Sequence, residues 1–251
     1  MCSVTWLIEP DGYQLFFNRD EQKARPLALP PQQICIQQTS VLMPIDPKGR
    51  GSWISLNEHG LSLCLLNYYQ GKVPAGELVS RGLLLRHLSP HQRVEDIVKV
   101  FRTIQLKRLA PFTLLAFDPS LTARFGDVMA FEWNGETLGI FPVDSPLFSS
   151  AVHFDAVQHY RQQLYRECTA KEKTREALLA FHRAFEAKEP HLSPCMVRED
   201  AHTVSFTSIS VNRQHKRMSY LPGLPVLQLS ESALEEHGYH INPAAAAAND
   251  H

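Results

Sequence analysis

Cys2-Ser3-Val4-Thr5-Trp6-Leu7-Ile8-Glu9-Pro10-Asp11-Gly12-Tyr13-Gln14-Leu15-Phe16-Phe17-Asn18-Arg19-Asp20-Glu21 reads as two strands joined by a tight turn. Both flanks are rich in β-branched and aromatic residues, and Asp-Gly between two apolar runs is a strong hairpin signal. A two-residue Asp11-Gly12 turn pairs Pro10 with Tyr13, Val4 with Arg19, Ser3 with Asp20 and Cys2 with Glu21. Arg19 then shares a sheet face with Cys2, one diagonal step away at roughly 7–8 Å, within reach of a long side chain. Asp20 falls on the opposite face. A three-residue turn would invert these faces.

The hairpin matters because of what begins it. If Met1 is removed, Cys2 carries a thiol and a free α-amine on one residue. Their ordinary pKa values, near ~8.5 and ~7.7–8.0, allow proton exchange at neutral pH. An N-terminal Thr is activated through its own amine by the same logic. An Arg beside the thiol favours thiolate, and an Asp can hold that Arg or the α-amine. The plainer alternative is a small residue in an edge strand followed by a solvated run of charges.

Bulk composition narrows the function classes. The chain has 251 residues, 44% hydrophobic and 20% charged, which is ordinary for a globular protein. Its 25 basic and 26 acidic residues give a net charge of −1, which argues against nucleic acid and anionic membrane surfaces as partners. No run of about eighteen apolar residues is present, and residues 2–8 are too short for a signal segment. Five cysteines at wide spacing, without C-x-x-C, argue against a disulfide framework or structural zinc. A reducing, cytoplasmic setting is expected. Twelve histidines form no H-E-x-x-H, and no Walker loop, G-x-G-x-x-G or G-x-S-x-G occurs. No metal or cofactor is expected.

Along the chain, Pro26-Leu27-Ala28-Leu29-Pro30-Pro31 opens a predicted loop region reaching residue 51, with an apolar patch at residues 34–36. Residues 52–56 and 61–67 read as a strand pair. Val94, Ile97, Val98, Phe101 and Ile104 recur at helical spacing. Residues 112–117, 128–133 and 137–141 read as strands, the last two joined at Asn134-Gly135. Residues 154–188 are predicted helical in two pieces, one with Val157, Tyr160 and Leu164 along a face. Residues 203–211 and 216–221 are predicted strands. This order lacks regular βαβ alternation and favours an antiparallel α+β layout.

Asn67 closes the apolar run Gly60-Leu61-Ser62-Leu63-Cys64-Leu65-Leu66, where a carboxamide can serve as a preorganised oxyanion donor. Arg81 and Arg198 stand beside turn or strand residues and are candidates to fork onto a substrate carboxylate. A structural pair such as Arg198 with Asp200 is the simpler alternative.

Cys2 together with Asn18-Arg19-Asp20-Glu21 resembles the NRDE family, named for that tetrapeptide and related to transport and Golgi organisation protein 2. Gly51-Ser52-Trp53-Ile54-Ser55-Leu56-Asn57-Glu58-His59-Gly60, Leu65-Leu66-Asn67-Tyr68, Ser80-Arg81-Gly82 and the segment from Cys195 through Arg198 and Asp200 to Ser205 also resemble it. That family is similar in outline to the cysteine branch of N-terminal nucleophile (Ntn) hydrolases, which includes bile salt hydrolase and penicillin V acylase.

The resemblance implies a four-layer αββα sandwich, with one domain over residues 1–243 and a low-complexity tail at 244–251. It implies Cys2, Arg19, Asp20 and Asn67 as catalytic residues, and Asn18, Arg81 and Arg198 as substrate contacts. The implied activity is cleavage of a non-peptide amide bond in a small molecule. The alternative is a non-catalytic carrier of haem or another apolar, lipid-like ligand. Two departures stand out. In those amidases two residues separate the Arg from the Asp, whereas Arg19 and Asp20 are adjacent. The amidases also have a second oxyanion Asn after their middle strands, where this chain has Pro146-Leu147-Phe148-Ser149-Ser150.

Overall fold

The computed structural model describes residues 2–243; the predicted tail lies outside the described residues. The opening hairpin is present as β1 (Cys2–Glu9) and β2 (Gly12–Gln22). Its register differs from the expected one. Glu9 faces Gly12 and Cys2 faces Arg19, so Pro10 and Asp11 make the turn. Two causes favour this. Proline presets φ for the first central turn position, and Gly12 is needed within the strand. There the Asn212 end of a neighbouring strand comes so close that a Cβ would sit 1.9 Å from the Val211 carbonyl oxygen. The shift is by an even number of residues, so the faces survive it and Arg19 stands directly opposite Cys2 rather than diagonal to it.

The remaining strands are β3 (Leu29–Ile36), β4 (Thr39–Ile45), β5 (Ile54–Asn57), β6 (Ser62–Asn67), β7 (Phe112–Phe117), β8 (Met129–Trp133), β9 (Leu138–Pro142), β10 (Leu147–Ser149), β11 (Ala201–Asn212), β12 (Lys216–Pro222) and β13 (Gly238–His240). The helices are α1 (Arg81–Leu88), α2 (Val94–Phe101), α3 (Phe154–Cys168), α4 (Arg175–Arg183), α5 (Pro225–Gln228) and α6 (Glu231–Glu236). One antiparallel sheet has the order β10-β1-β2-β11-β12-β13, and the other β3-β4-β5-β6-β7-β8-β9.

The sheets pack face to face. Val4, Trp6, Leu15 and Phe17 of the first meet Leu56, Leu66, Leu115 and Phe117 of the second. On the outer face of the first sheet, Phe16 and Phe206 pack against Leu178 and Phe181 of α4. On the outer face of the second, Leu63 and Leu114 meet Leu85 of α1 and Ile97 of α2. This is the predicted four-layer αββα arrangement. Strands covered on both faces read as unbroken apolar runs, which is why Phe-Thr-Leu-Leu-Ala-Phe of β7 is buried throughout.

Three expectations need correction. The predicted loop region reaching residue 51 holds β4 and most of β3. Its prolines obscured them, but β3 is an edge strand and Pro30-Pro31 occupy its irregularity between Leu29 and Gln32, where proline is tolerated. Helix α1 begins at the Ser80-Arg81-Gly82 segment expected to be turn or strand. Its first turn lies backbone to backbone on the lead-in to β5; a Cβ on Gly51 would stand 2.2 Å from the Gly82 carbonyl carbon. In α3 the buried stripe is Val157, Arg161 and Tyr165 rather than Val157, Tyr160 and Leu164. Among the described residues no helix is long and apolar enough to cross a membrane.

Candidate active site

Cys2 begins β1 and lies between two partners, Arg19 of β2 and Ser149 of β10. It opens on a 450 Å³ cavity whose lining includes Arg19, Asp20, Trp53, Asn67 and Arg81. Arg19 is 7% exposed. Its guanidinium lies 3.9 Å from the centre of the Trp53 ring, and its Nη2 donates to Glu21 Oε2 at 3.0 Å. An arginine that stacks on an indole and donates to a carboxylate is fixed in orientation. Along the rim Glu21 also pairs with Arg25, which pairs in turn with Asp46. Burial pushes the Cys2 thiol above its ordinary pKa, while Arg19 and a hydrogen bond from the Asp20 backbone pull it back. The thiol therefore needs a base.

Asp20 belongs to the other face, as the alternation of a strand requires. Its Oδ1 accepts from Thr203 Oγ1 at 2.6 Å, and its Oδ2 lies 3.7 Å from Nη2 of Arg161. A bulge in β11 between Thr203 and Ser205 falls opposite Asp20 and Arg19; bulges commonly re-aim side chains beside sites. Arg161 is wholly buried and donates to Leu192 O, Ser3 Oγ and Ser193 O. Burial raises the Asp20 carboxyl and Arg161 lowers it, with a net upward shift. Asp20 Oδ2 is a buried acceptor with no hydrogen-bond partner among the described residues.

Asn67 ends β6 at the cavity, and its Nδ2 donates to Tyr69 Oη at 2.7 Å. Arg81, the first residue of α1, donates through Nη1 to Pro111 O at 2.6 Å and has no carboxylate partner among the described residues. Burial pushes its pKa down. Cys2, Arg19, Asn67 and Arg81 thus converge on one cavity, which Asp20 borders while its carboxylate turns to the other face.

Asn18 and Arg198 lie elsewhere. Asn18 is buried on the helix face, where its Nδ2 donates to His182 O and Pro194 O. It tethers the end of α4, because the pleat places it two residues from Asp20 on the same side. Arg198 forks onto Asp200 and lines a separate cavity with His153 and His191. Sequence reasoning missed Arg161 and the platform role of Trp53. An arginine at i+4 from Val157 and i−4 from Tyr165, inside an apolar stripe, was the available signal for Arg161. Trp53 carried none beyond its place in the family-like block. No cluster of three or more His, Cys, Asp or Glu suited to a metal is found among the described residues.

Residues 1–221 match the family profile of Transport and Golgi organisation 2. The chain belongs to that family. No curated protein sequence matches it significantly. Among solved structures, the chain resembles penicillin V acylase from Agrobacterium tumefaciens. The TM-score is 0.55 at 11% identity, covering 97% of this chain and 98% of the acylase. It also matches the C2A mutant of conjugated bile acid hydrolase from Clostridium perfringens, with a TM-score of 0.49 at 13% identity over 88% and 92% of the two chains. A third match is the Caenorhabditis elegans ortholog of N-acylethanolamine-hydrolyzing acid amidase, with a TM-score of 0.45 at 9% identity over 96% and 100%. The fold of this family member is that of Ntn hydrolases.

Proposed function

We propose that this protein is an N-terminal-cysteine hydrolase that cleaves a non-peptide amide bond of a small molecule. One observation carries the reading: Cys2 faces a cavity shared with Arg19 and Asn67, while Asp20, whose Oδ2 accepts no hydrogen bond among the described residues, lies one residue past Arg19, the strand partner of Cys2. That register sets Asp20 level with the α-amine that Cys2 would expose once Met1 is removed, and a buried acceptor there suits an ammonium.

In the proposed reaction the α-amine takes the thiol proton and Sγ attacks the amide carbonyl carbon. Asn67 Nδ2 holds the oxyanion. Collapse of the tetrahedral intermediate breaks the C–N bond, and the ammonium returns its proton to the departing amine. A water molecule, deprotonated by the α-amine, then attacks the thioester and releases the carboxylic acid and the thiol. Arg19 favours the thiolate, and Arg81 is the substrate contact for an anionic group. Replacing Cys2 with Ala should abolish both labelling by an acyl-electrophile probe and any hydrolysis; equal labelling of the two proteins would sink the reading.

A second reading, carriage of an apolar ligand such as haem, draws on a 250 Å³ cavity walled by Val79, Leu83, Leu84, Ile104 and Leu109, with Val79 also lining the Cys2 cavity. Haem titration followed at the Soret band tests it. No shift at micromolar protein would count against it.

A further inference from the structure

The outer face of the first sheet changes character along its strands. At one end Phe206 and Leu221 pair across β11 and β12 and, with Phe16, pack against Leu178 and Phe181 of α4. Further along, Ser208 pairs with Ser219, and Ser210 stands between Gln14 and Arg217. A sheet face covered by helices is expected to be apolar. Yet Ser208 and Ser219 are each 5% exposed and Gln14 is 8% exposed, and a buried polar residue is the informative exception. These side chains floor a 260 Å³ cavity whose walls include Arg175 at the start of α4, Glu231 and Glu235 of α6, and His215. Cys2 packs on the other face of the sheet, against the core between the sheets.

Most of the lining is held in place. Arg175 donates to Glu231 through Nε at 2.9 Å and Nη2 at 3.0 Å, and to Gln14 Oε1 through Nη1 at 2.6 Å. Gln14 donates in turn to Glu9. Arg217 Nη2 donates to the Leu234 and Glu235 carbonyls, and Ser219 Oγ donates to the Leu234 carbonyl. Ser210 Oγ and His215 Nε2 lie 3.0 Å apart. Ser208 is the exception: its hydroxyl makes no hydrogen bond among the described residues. A buried hydroxyl without a partner is costly to keep, and this one lies on the floor of the cavity. Fixed polar walls around an open hydroxyl are preorganised for a ligand.

The charges decide the ligand class by elimination. An anion finds no spare cation, because Arg175 is spent on Glu231 and Arg217 on carbonyls, and it faces two carboxylates. A cation faces two arginines, and Glu231 is already paired. An apolar group would leave the serines without partners, and only Leu234 among the described residues lining the cavity is apolar. A neutral, hydroxyl-rich compound suits the rest, since serine and alcohol groups each donate and accept. The volume falls just below the roughly 300–1,000 Å³ of drug-sized sites, which limits the ligand to one small ring. We propose that this cavity binds a small neutral polyhydroxyl compound, a single sugar ring or cyclic polyol. The proposal is independent of the hydrolase reading, since it involves neither Cys2 nor its cavity.

Saturation-transfer NMR on the whole chain tests it, with D-glucose, D-galactose, D-ribose and myo-inositol as separate probes at millimolar concentration. Acetate and tetramethylammonium serve as charged controls. At least one of the four polyols should bind with a millimolar Kd. Ser208→Ala should weaken that binding about 5-fold, the worth of one neutral hydrogen bond. Ser208→Leu extends the apolar packing of Phe206 and Leu221 into the cavity, so it should abolish binding without lowering Tm. Should Ser208→Leu fail to fold, Ser208→Ala decides alone. Saturation reaching none of the four polyols would mean that the cavity holds only water, which overturns the proposal. Equal binding by wild type and Ser208→Ala would place the polyol elsewhere and overturn it too. Tighter binding of either charged control than of every polyol would overturn the choice of a neutral ligand.

Discussion

Arg19 and Asp20 are consecutive in one strand, and the pleat sends them to opposite faces of the first sheet. On the inner face Arg19 stacks on Trp53 at the edge of an open cavity and shares Glu21 with Arg25. On the outer face Asp20 enters a sealed polar cluster with Thr203, Arg161, Ser3, Asn18 and His182. The partners on the first side, Glu21 and Arg25, keep part of their surface in solvent; the charges on the second were taken wholly from water and must satisfy one another. In the proposed mechanism the contrast lets adjacent residues serve one nucleophile: Arg19 acts on the thiol from the cavity side, and Asp20 is held from behind by Thr203 and Arg161.

Removing one charge from the sealed side should give the largest effect. Arg161→Met leaves Asp20 buried without its counter-ion and frees three acceptors, so stability should fall by about 3–5 kcal/mol. Urea unfolding measures it, and a loss under about 1 kcal/mol would mean that the cluster is not coupled as described. On the cavity side Asn67→Ala should hardly move the urea midpoint but should slow acylation of Cys2 by about 10²–10³-fold. A variant that unfolds early, or acylates at the wild-type rate, would erase the contrast between the faces.

A smaller effect comes from His182. It is buried, its Nε2 meets Thr5 Oγ1 at 2.9 Å, and burial together with Arg161 pushes its pKa down to about 3. The unfolded chain protonates this ring near ~6.5. Below that pH the unfolded state binds a proton that the folded state does not, so stability falls as pH drops from about 6.5 towards about 3. The contribution is about 2 kcal/mol by pH 5. His182→Gln should flatten the dependence of the urea midpoint between pH 7 and pH 5; an unchanged slope would place the pH response elsewhere.

Local signals carried much of this architecture. Asp11-Gly12 and Asn134-Gly135 announced their hairpins, and the alternation of residues 2–20 placed Arg19 and Asp20 on their correct faces. The exact register escaped because it depends on the close approach of β11 to Gly12, a contact from the far end of the chain. Strands β3 and β4 were hidden by prolines that only an edge position makes harmless. Asn18 looked available for substrate because it belongs to the motif, yet the tetrapeptide alternates faces and only Arg19 and Glu21 share the cavity side. Arg161 was invisible as a partner of Asp20 because 141 positions apart in sequence, as 161 and 20 are, nothing local links them.

Intact-protein mass before and after treatment with an acyl-electrophile probe examines the proposal at its first step. The structure-based reading predicts a chain that lacks Met1 and gains a single acyl adduct, mapped to Cys2 and absent from Cys2→Ala. A chain that retains Met1, or one whose adduct forms equally without the Cys2 thiol, would contradict it.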